Sequence, residues 1–213
     1  MLRRLAPLTA MTLAEYFRDQ GHRVLLVVDS ATRYAHACRE IAMAAGEPPV
    51  ARGYTPSVFT ELPRLLERAG PGAEGSGSIT GLFTVLVDGD DHNDPIADAI
   101  RGILDGHIVL DRAIAASGRL PAVDPLKSLS RLADRVWTPE QTKLVKLLRT
   151  LIARFEDTRE LRLLGGYQPG LDAEIDKAVD MVPRLYDFIS QHPASDPCMN
   201  VFKDLLDVLN PVL

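Results

Sequence analysis

The fold is decided by the stretch Val24-Leu25-Leu26-Val27-Val28, which is followed at once by Asp29 and Ser30. Five consecutive apolar residues, three of them β-branched, are typical of a strand that is buried on both faces of a parallel sheet. An aspartate at the carboxyl end of such a strand has the form of a Walker B motif, whose carboxylate holds Mg²⁺. The alternative role for this polar end is to cap the helix predicted to begin at Thr32.

The segments around this strand alternate between helix and strand as far as residue 125. The pattern predicts helices at 8–20, 32–45, 57–69, 96–104 and 112–116, strands at 79–87 and 107–110, a mobile glycine-rich loop at 70–78, and extended chain at 121–125. From Thr138 the pattern is helical, beginning with Pro139 at the first helical position and Gln141 at the third. Further helices are predicted at 171–189 and 201–209. The sequence therefore predicts an α/β domain over 1–137 and an all-α C-terminal subdomain over 138–213.

Composition restricts the class of protein. The 213 residues carry 24 basic and 29 acidic side chains, a net charge of −5, so no global basic field exists to attract nucleic acid. The two cysteines cannot form a disulfide framework, and we expect a reducing cytoplasm. The N-terminus imitates a signal peptide but has no cleavage site of the usual kind, and no apolar run approaches the roughly 20 residues that span a bilayer.

A P-loop site also needs a glycine-rich loop that ends in Gly-Lys-Ser or Gly-Lys-Thr. The sequence has five lysines, and none of them follows a glycine: Lys127, Lys143, Lys146, Lys177 and Lys203. The 213 residues therefore contain no Walker A loop. If Asp29 serves a nucleotide, the phosphate cradle must come from residues outside this sequence.

Eight motifs carry a resemblance to a known family. In chain order they are Glu15–Gly21 (EYFRDQG), Asp29–Arg33 (DSATR), Ala45–Pro49 (AGEPP), Arg52–Phe59 (RGYTPSVF), Leu62–Gly70 (LPRLLERAG), Leu104–Leu110 (LDGHIVL), Pro121–Asp124 (PAVD) and Ser130–Arg131. The chain resembles the flagellar and type III secretion export ATPases, which are related to the catalytic subunits of rotary ATP synthases. Nearly the whole chain is covered, but only by the second half of the family's pattern. The resemblance implies a partial P-loop (RecA-like) parallel sheet and homohexamers that hydrolyse ATP at subunit interfaces.

The resemblance implies roles for individual residues. Asp29 matches the Walker B aspartate, and Arg33 matches a basic residue near the γ-phosphate, with a solvated helix arginine as the alternative. Arg131 matches the arginine finger that acts on the neighbouring subunit's ATP, where a planar, permanently charged guanidinium suits the transferring phosphoryl group. Its alternative role is a surface ion pair with Asp134 or Asp124.

Other matches concern the binding of the adenine base and contacts with partner proteins. Leu120 occupies a position where relatives often place an aromatic residue against adenine, and Phe188 either lines the same pocket or belongs to the core. The acidic turn 90–95 resembles the loop that faces the central shaft in rotary relatives, with an ordinary turn as the alternative. The break at 165–170 resembles the helix-turn-helix that touches a stalk protein, with a plain interhelical turn as the alternative.

The expected function is that of the C-terminal part of a flagellar protein export ATPase that uses ATP and Mg²⁺. Expected partners are further copies of the chain, stalk-like and regulatory export proteins, export substrates and their chaperones, at the inner face of the cytoplasmic membrane beside the export gate. We expect no ATP turnover by the chain alone, because the phosphate loop and the catalytic glutamate precede this segment in the family. The alternatives are a non-catalytic interaction module and a virulence-type secretion ATPase. A nucleotide domain divided in this way is also expected to expose a sheet edge, and the isolated chain is expected to be marginally stable or to self-associate.

Overall fold

A computed structural model describes residues 1–87, 89 and 94–209 of the chain. The chain divides into two compact units, Met1–Leu104 and Asp105–Leu213, which are described separately below. The fold is mixed α/β as predicted, and the domain boundary at residue 137 stays a prediction. Among the described residues, no helix is both long enough and apolar enough to cross a membrane.

In its described residues, the first unit alternates helices with three strands. Its helices are α1 (Leu2–Asp19), α2 (Ala31–Ala44), α3 (Pro56–Leu66) and α4 (Pro95–Ile103), and its strands are β1 (Arg23–Val28), β2 (Gly70–Pro71) and β3 (Ser78–Phe83). β1 pairs with β3 in parallel, from Arg23 opposite Ser78 to Val28 opposite Phe83. β2 adds a short antiparallel pair on the other side of β3, within the segment that the sequence predicted to be a mobile loop.

The described residues of this unit cover only one face of the sheet. Leu26 and Val28 are buried, whereas Leu25 and Val27 are 64% and 59% exposed. The prediction that β1 is buried on both faces is therefore wrong for this chain, although the parallel pairing is confirmed. The reason is that the helices pack on one side, where Met11, Tyr34, Val58, Leu62 and Ile96 join the buried strand residues in one core.

α1 begins at Leu2, six residues earlier than the sequence predicted, and continues through Pro7. An interior proline removes one backbone hydrogen bond from a helix and crowds the carbonyl four residues earlier. Arg4 anchors the preceding turn, because its guanidinium pairs with the Glu61 carboxylate of α3 at 2.9 Å. The predicted strand 79–87 is shorter than expected and ends at Phe83.

The second unit combines a two-stranded sheet with helices. Its elements are β4 (Gly106–Leu110), α5 (Arg112–Ala116), β5 (Val123–Ser130), α6 (Ala133–Val136), α7 (Pro139–Asp157), α8 (Arg159–Leu163), α9 (Ala173–Ile189) and α10 (Val201–Leu209). β4 and β5 are antiparallel, with an irregularity between His107 and Val109. Pro125 lacks a backbone donor, and the Asp124 carboxylate accepts from the Leu126 and Lys127 amides, so the ladder is interrupted there. The predicted extended segment thus continues to Ser130.

α7 begins as the sequence predicted. The Thr138 hydroxyl accepts from the Gln141 amide, and the Gln141 side chain accepts from the Thr138 amide, which completes a capping box. α9 packs against both α7 and α10. The separate core of this unit has the buried members Leu148, Leu151, Ile152, Ala178, Met181, Val182, Leu185 and Leu209.

The pair between Glu15 and Arg68 gives a test of the first unit's stability. Arg68 donates to both carboxylate oxygens of Glu15, at 2.8 and 2.6 Å, and these hydrogen bonds lower the pKa of Glu15 below its ordinary value of 4.5. The stabilisation is therefore complete above the ordinary pKa and is lost as the pH falls through the lower, folded-state pKa. We expect Glu15→Gln to reduce the free energy of unfolding at pH 7 and to have a smaller effect at pH 3, measured by urea denaturation. Glu67→Gln, which changes an exposed carboxylate beside Arg68, is the matched control; equal losses for Glu15→Gln at both pH values would contradict the account.

Candidate functional site

The carboxyl end of β1 presents an exposed carboxylate that is fixed by the neighbouring strand. The Thr84 hydroxyl, one residue beyond β3, donates to Asp29 Oδ1 at 2.8 Å. The backbone fixes the same junction, because the Thr84 amide donates to Val28 O at 3.0 Å and the Ala31 amide donates to Thr84 O at 2.9 Å. The position of Asp29 therefore follows directly from the parallel pairing of β1 with β3.

The turn after Asp29 starts α2. Ser30 is buried, and its hydroxyl accepts from the Arg33 amide at 3.3 Å, so Ser30 is the N-cap of the helix. Helix capping was the alternative role predicted for the polar residues after β1. Ser30 performs that role, and Asp29 is exposed beside it. Arg33 is also exposed, in the first turn of α2. A carboxylate and a guanidinium therefore lie on one short segment at the positive end of a helix.

The sequence did not predict two threonines at this junction. Thr84 orients the Asp29 carboxylate, and the nearly buried Thr32 hydroxyl accepts from the Leu86 amide at 2.9 Å. Both contacts join the β1–α2 turn to the chain beyond β3. Thr32 lies within the DSATR motif, but no motif marks Thr84; for Thr84 the available signal was that polar residues follow two strands predicted to be parallel.

The donor set at this junction fits magnesium. Asp29 and Thr84 supply hard oxygen atoms, and Mg²⁺ is usually bound by one or two carboxylates together with water and substrate phosphates. Among the residues that the structure describes, no group of three or more His, Cys, Asp or Glu side chains could hold a metal. The single carboxylate suits an ion shared with a phosphate group better than an ion caged by protein alone.

Arg131 lies directly after β5 in the second unit. Its amide donates to Asp105 O at 2.7 Å, which fixes the main chain, and its side chain is exposed. The Asp124 carboxylate, one of the alternative partners proposed for it, pairs with Lys127 Nζ at 3.2 Å. Lys127 also binds Asp111 at 3.0 Å, so its ammonium group bridges two carboxylates.

Leu120 and Phe188 lie in two segments of the second unit that contact each other. The Gln191 amide, just after α9, donates to Leu120 O at 2.7 Å. The Arg119 guanidinium lies 3.9 Å from the centre of the Tyr186 ring, which is on α9 two residues before Phe188. Leu120 is 56% exposed and Phe188 is half-buried, so both side chains are partly accessible.

The remaining predicted sites are a turn and a loop. Residues 90–93 of the acidic turn lie outside the described residues, and Asp94 caps α4 by accepting from the Ile96 and Ala97 amides. In the break at 165–170, Asp176 accepts from the Tyr167 hydroxyl at 2.6 Å and from the Gly170 amide at 2.8 Å. The loop is thus tied to the first turn of α9.

The chain matches two known protein families, one in each part of its sequence. Residues 1–130 match the ATP synthase alpha/beta family, nucleotide-binding domain. The chain belongs to this family. Residues 137–201 match the T3SS EscN ATPase C-terminal domain, which identifies the flagellar and type III secretion group and confirms the predicted resemblance.

Individual relatives agree with this assignment. The chain is 64% identical to the flagellum-specific ATP synthase of Rhizobium meliloti over 98% of its length and 45% of that relative. It is 48% identical to the type 3 secretion system ATPase of Xanthomonas euvesicatoria, over 94% of this chain and 44% of that relative. The chain thus spans about half the length of the curated relatives that it matches.

Solved structures show the same fold. The assembled ATPase EscN of the enteropathogenic E. coli type III secretion system matches with a TM-score of 0.90 and 44% identity, over 97% of this chain and 49% of that chain. EscN in complex with its central stalk EscO matches with a TM-score of 0.84 and 43% identity, over 97% and 48% of the two chains. The α/β fold followed by helices is therefore confirmed.

The N-cap at Ser30 can be tested by substitution. Ser30→Ala removes the acceptor for the Arg33 amide, and we expect the free energy of unfolding to fall by about 1 kcal/mol. Ser117→Ala, at an exposed position after α5, is the matched control, with an expected change within about 0.5 kcal/mol. Urea denaturation followed by circular dichroism measures both; an unchanged stability of Ser30→Ala would exclude the capping role.

Proposed function

We propose that this chain carries the magnesium-binding and arginine-finger half of a flagellar-type protein export ATPase, and that its assembly couples ATP hydrolysis to the export of flagellar proteins. The observation that carries the proposal is the exposed Asp29 carboxylate, held by Thr84 at the end of β1, in a chain of the ATP synthase alpha/beta family. The 64% identity to a flagellum-specific relative, against 48% to a type 3 secretion ATPase, favours flagellar over virulence export.

Asp29 is the proposed magnesium ligand. Its carboxylate is oriented by Thr84, so little reorganisation is needed when a hard cation binds. Bound Mg²⁺ would neutralise charge on the phosphate oxygens of ATP. Arg33, one helical turn away on the same segment, would add a positive charge near the γ-phosphate. The phosphate loop is expected from the part of the family domain that this sequence does not contain.

Arg131 is the proposed finger for the ATP of a neighbouring subunit. Its main chain is fixed by Asp105, while its side chain is exposed, as required of a group that acts outside its own subunit. Leu120 and Phe188 would contact the adenine ring through apolar surface. These roles need a homo-oligomer, and the family resemblance favours a hexamer.

The proposed setting is the cytoplasm at the inner face of the membrane, beside the export gate. Proposed partners are stalk-like and regulatory export proteins, export substrates and their chaperones. Two observations support the oligomer and the stalk: one relative is described as an assembled ATPase, and the same relative is described in complex with a central stalk. The acidic balance of the chain gives no reason to include nucleic acid.

The finger can be tested by mixing subunits. A full-length flagellar relative whose arginine aligned with Arg131 is replaced by alanine supplies complete phosphate sites without fingers. We expect the present chain to show no ATP turnover alone and to restore turnover in mixed assemblies. Because such fingers contribute about 10³- to 10⁵-fold in rate, Arg131→Ala in the present chain should reduce the restored rate to background.

Arg135→Ala is the matched control, because Arg135 is an exposed arginine four residues further along. It should restore turnover as well as the unchanged chain does. Robust magnesium-dependent turnover by the 213-residue chain alone, or equal restoration by Arg131→Ala, would contradict the proposal.

A second candidate function is that of a non-catalytic interaction module. It is favoured by exposed leucines at the end of α8, where Leu163 and Leu164 are 76% and 87% exposed just before the 165–170 loop. Exposed apolar side chains beside a loop suit a helical partner such as a stalk protein.

This second function can be tested by binding. We expect the chain to capture a central stalk protein of the kind that EscN binds, and the double variant Leu163→Ser, Leu164→Ser to lower the affinity at least tenfold. Leu110→Ser, which changes an exposed leucine on β4, is the control. Unchanged affinity of the double variant, or loss of binding with the control, would locate the contact elsewhere.

A further inference from the structure

β5 contains a wide bulge shortly before Arg131. Its antiparallel pairing with β4 is interrupted between His107 and Val109. At this point β5 has four residues, Pro125–Ser128, where β4 has only Ile108. The backbone groups of such a bulge cannot all pair with the neighbouring strand, so they need other partners.

One side chain of α7 binds three carbonyls of this bulge. Arg149 Nη1 donates to Pro125 O at 2.7 Å and to Ser128 O at 3.2 Å. Arg149 Nη2 donates to Leu126 O at 2.8 Å. A planar guanidinium holds its donors in a fixed geometry, so it can bind several acceptors at once and fix their relative positions. Arg149 therefore attaches the bulge to α7.

The remaining groups of the bulge are bound within the β4–β5 pair. The Asp124 carboxylate accepts from the Leu126 and Lys127 amides, and the Ser128 hydroxyl donates to Asp124 O at 2.6 Å. Nε2 of His107 lies 3.0 Å from Lys127 O. These contacts shape the bulge but do not connect it to the helices.

The side chain of Leu126 makes the apolar contact between the bulge and the helices, because it packs against the core formed by α7, α9 and α10. An apolar contact of this kind is not directional. The hydrogen bonds from Arg149 are directional, so they determine the orientation of the bulge on α7. Arg149 is exposed, and water can therefore replace its guanidinium at the carbonyls. We expect its loss to loosen the bulge without unfolding the unit.

The chain runs from this bulge directly to Arg131. Leu129 and Ser130 pair again with β4, and the Arg131 amide donates to Asp105 O at 2.7 Å. These contacts fix the end of β5 to β4. Arg149 fixes the same strand to α7, so the two sets of contacts together determine where the main chain of Arg131 lies in the second unit.

We propose that Arg149 is a positioning residue for Arg131. Its guanidinium holds the bulge of β5 on α7 and thereby sets the direction in which the finger leaves its own subunit. The inference rests on the proposed function of Arg131. Arg149 acts through the main chain of β5 and not on the phosphate groups, and a misplacement of about 1 Å can lower a rate about 10²-fold.

The first test is hydrogen exchange of the ¹⁵N-labelled chain, which needs no assembly. Arg149→Ala should speed exchange of the Arg131 amide about tenfold or more, because the end of β5 opens more often. Amides in the helical core, such as those of Leu151 and Met181, should change by less than about twofold. A residue that only stabilises the unit would instead speed exchange throughout the second unit.

The second test is turnover in the mixed assemblies described for Arg131. Arg149→Ala should lower the restored kcat about 10²-fold and leave the KM for ATP within about twofold, because a finger acts in the transition state. Arg149→Lys keeps the charge and hydrogen-bond donors but not the planar geometry, so we expect an intermediate loss of about tenfold. It also allows both measurements if Arg149→Ala does not fold.

Arg154→Ala is the matched control. Arg154 is an arginine of the same helix, and its ion pair with Glu174 at 3.3 Å is exposed on both sides. Such pairs contribute little. The control should leave both the exchange of the Arg131 amide and the restored kcat unchanged within about twofold.

The outcomes separate this inference from the proposed function. Full turnover with Arg131→Ala, or no restoration by the unchanged chain, would contradict the finger itself. If Arg131→Ala abolishes turnover but Arg149→Ala leaves kcat unchanged, only the positioning role is overturned. Unchanged exchange of the Arg131 amide in Arg149→Ala, or faster exchange throughout the second unit, would also overturn it.

Discussion

The parallel pairing of β1 with β3 is the constraint on which the candidate site depends. It sets Val28 opposite Phe83, and the next residues of the two strands, Asp29 and Thr84, then meet at the same edge of the sheet. Carboxyl ends of parallel strands converge in this way wherever an α/β fold builds a ligand site. Without the pairing, Asp29 would be an ordinary polar residue at the end of an apolar segment.

The same pairing explains how the first unit is stabilised and which face of its sheet is exposed. Helices pack on one face of the sheet, and the buried residues of β1 join a core with Met11, Tyr34 and Leu62. The opposite face keeps Leu25 and Val27 exposed.

Much of this organisation was predictable from the sequence, because residue composition, capping residues and apolar spacing indicated the same elements. The apolar strand, the capping residues at Thr138 and the helical spacing after it correctly predicted β1 and α7. The family motifs led to the ATPase assignment, which the family comparisons confirm. The roles of Asp29, Arg33, Arg131, Leu120 and Phe188 stay predictions.

The wrong predictions concern features that depend on contacts between segments far apart in the sequence. Composition shows that β1 is apolar but not which neighbouring segments cover it, so burial on both faces was wrongly expected. The pattern predicted that α1 begins at residue 8, but the ion pair between Arg4 and Glu61, which anchors the earlier turn, joins residues that are far apart in sequence. Thr84 was missed for a similar reason, since its role depends on a partner 55 residues away.

The central claim is that the end of β1 binds magnesium with a nucleotide through Asp29. It is tested most directly by nuclear magnetic resonance of the ¹⁵N-labelled chain with Mn²⁺ and ATP, because the paramagnetic ion broadens nearby amide signals even when binding is weak. The account predicts selective broadening at residues 28–33 and at Thr84, and its loss in Asp29→Asn. Broadening centred on another acidic group, such as Asp111 and Asp124, or a pattern unchanged in Asp29→Asn, would contradict it.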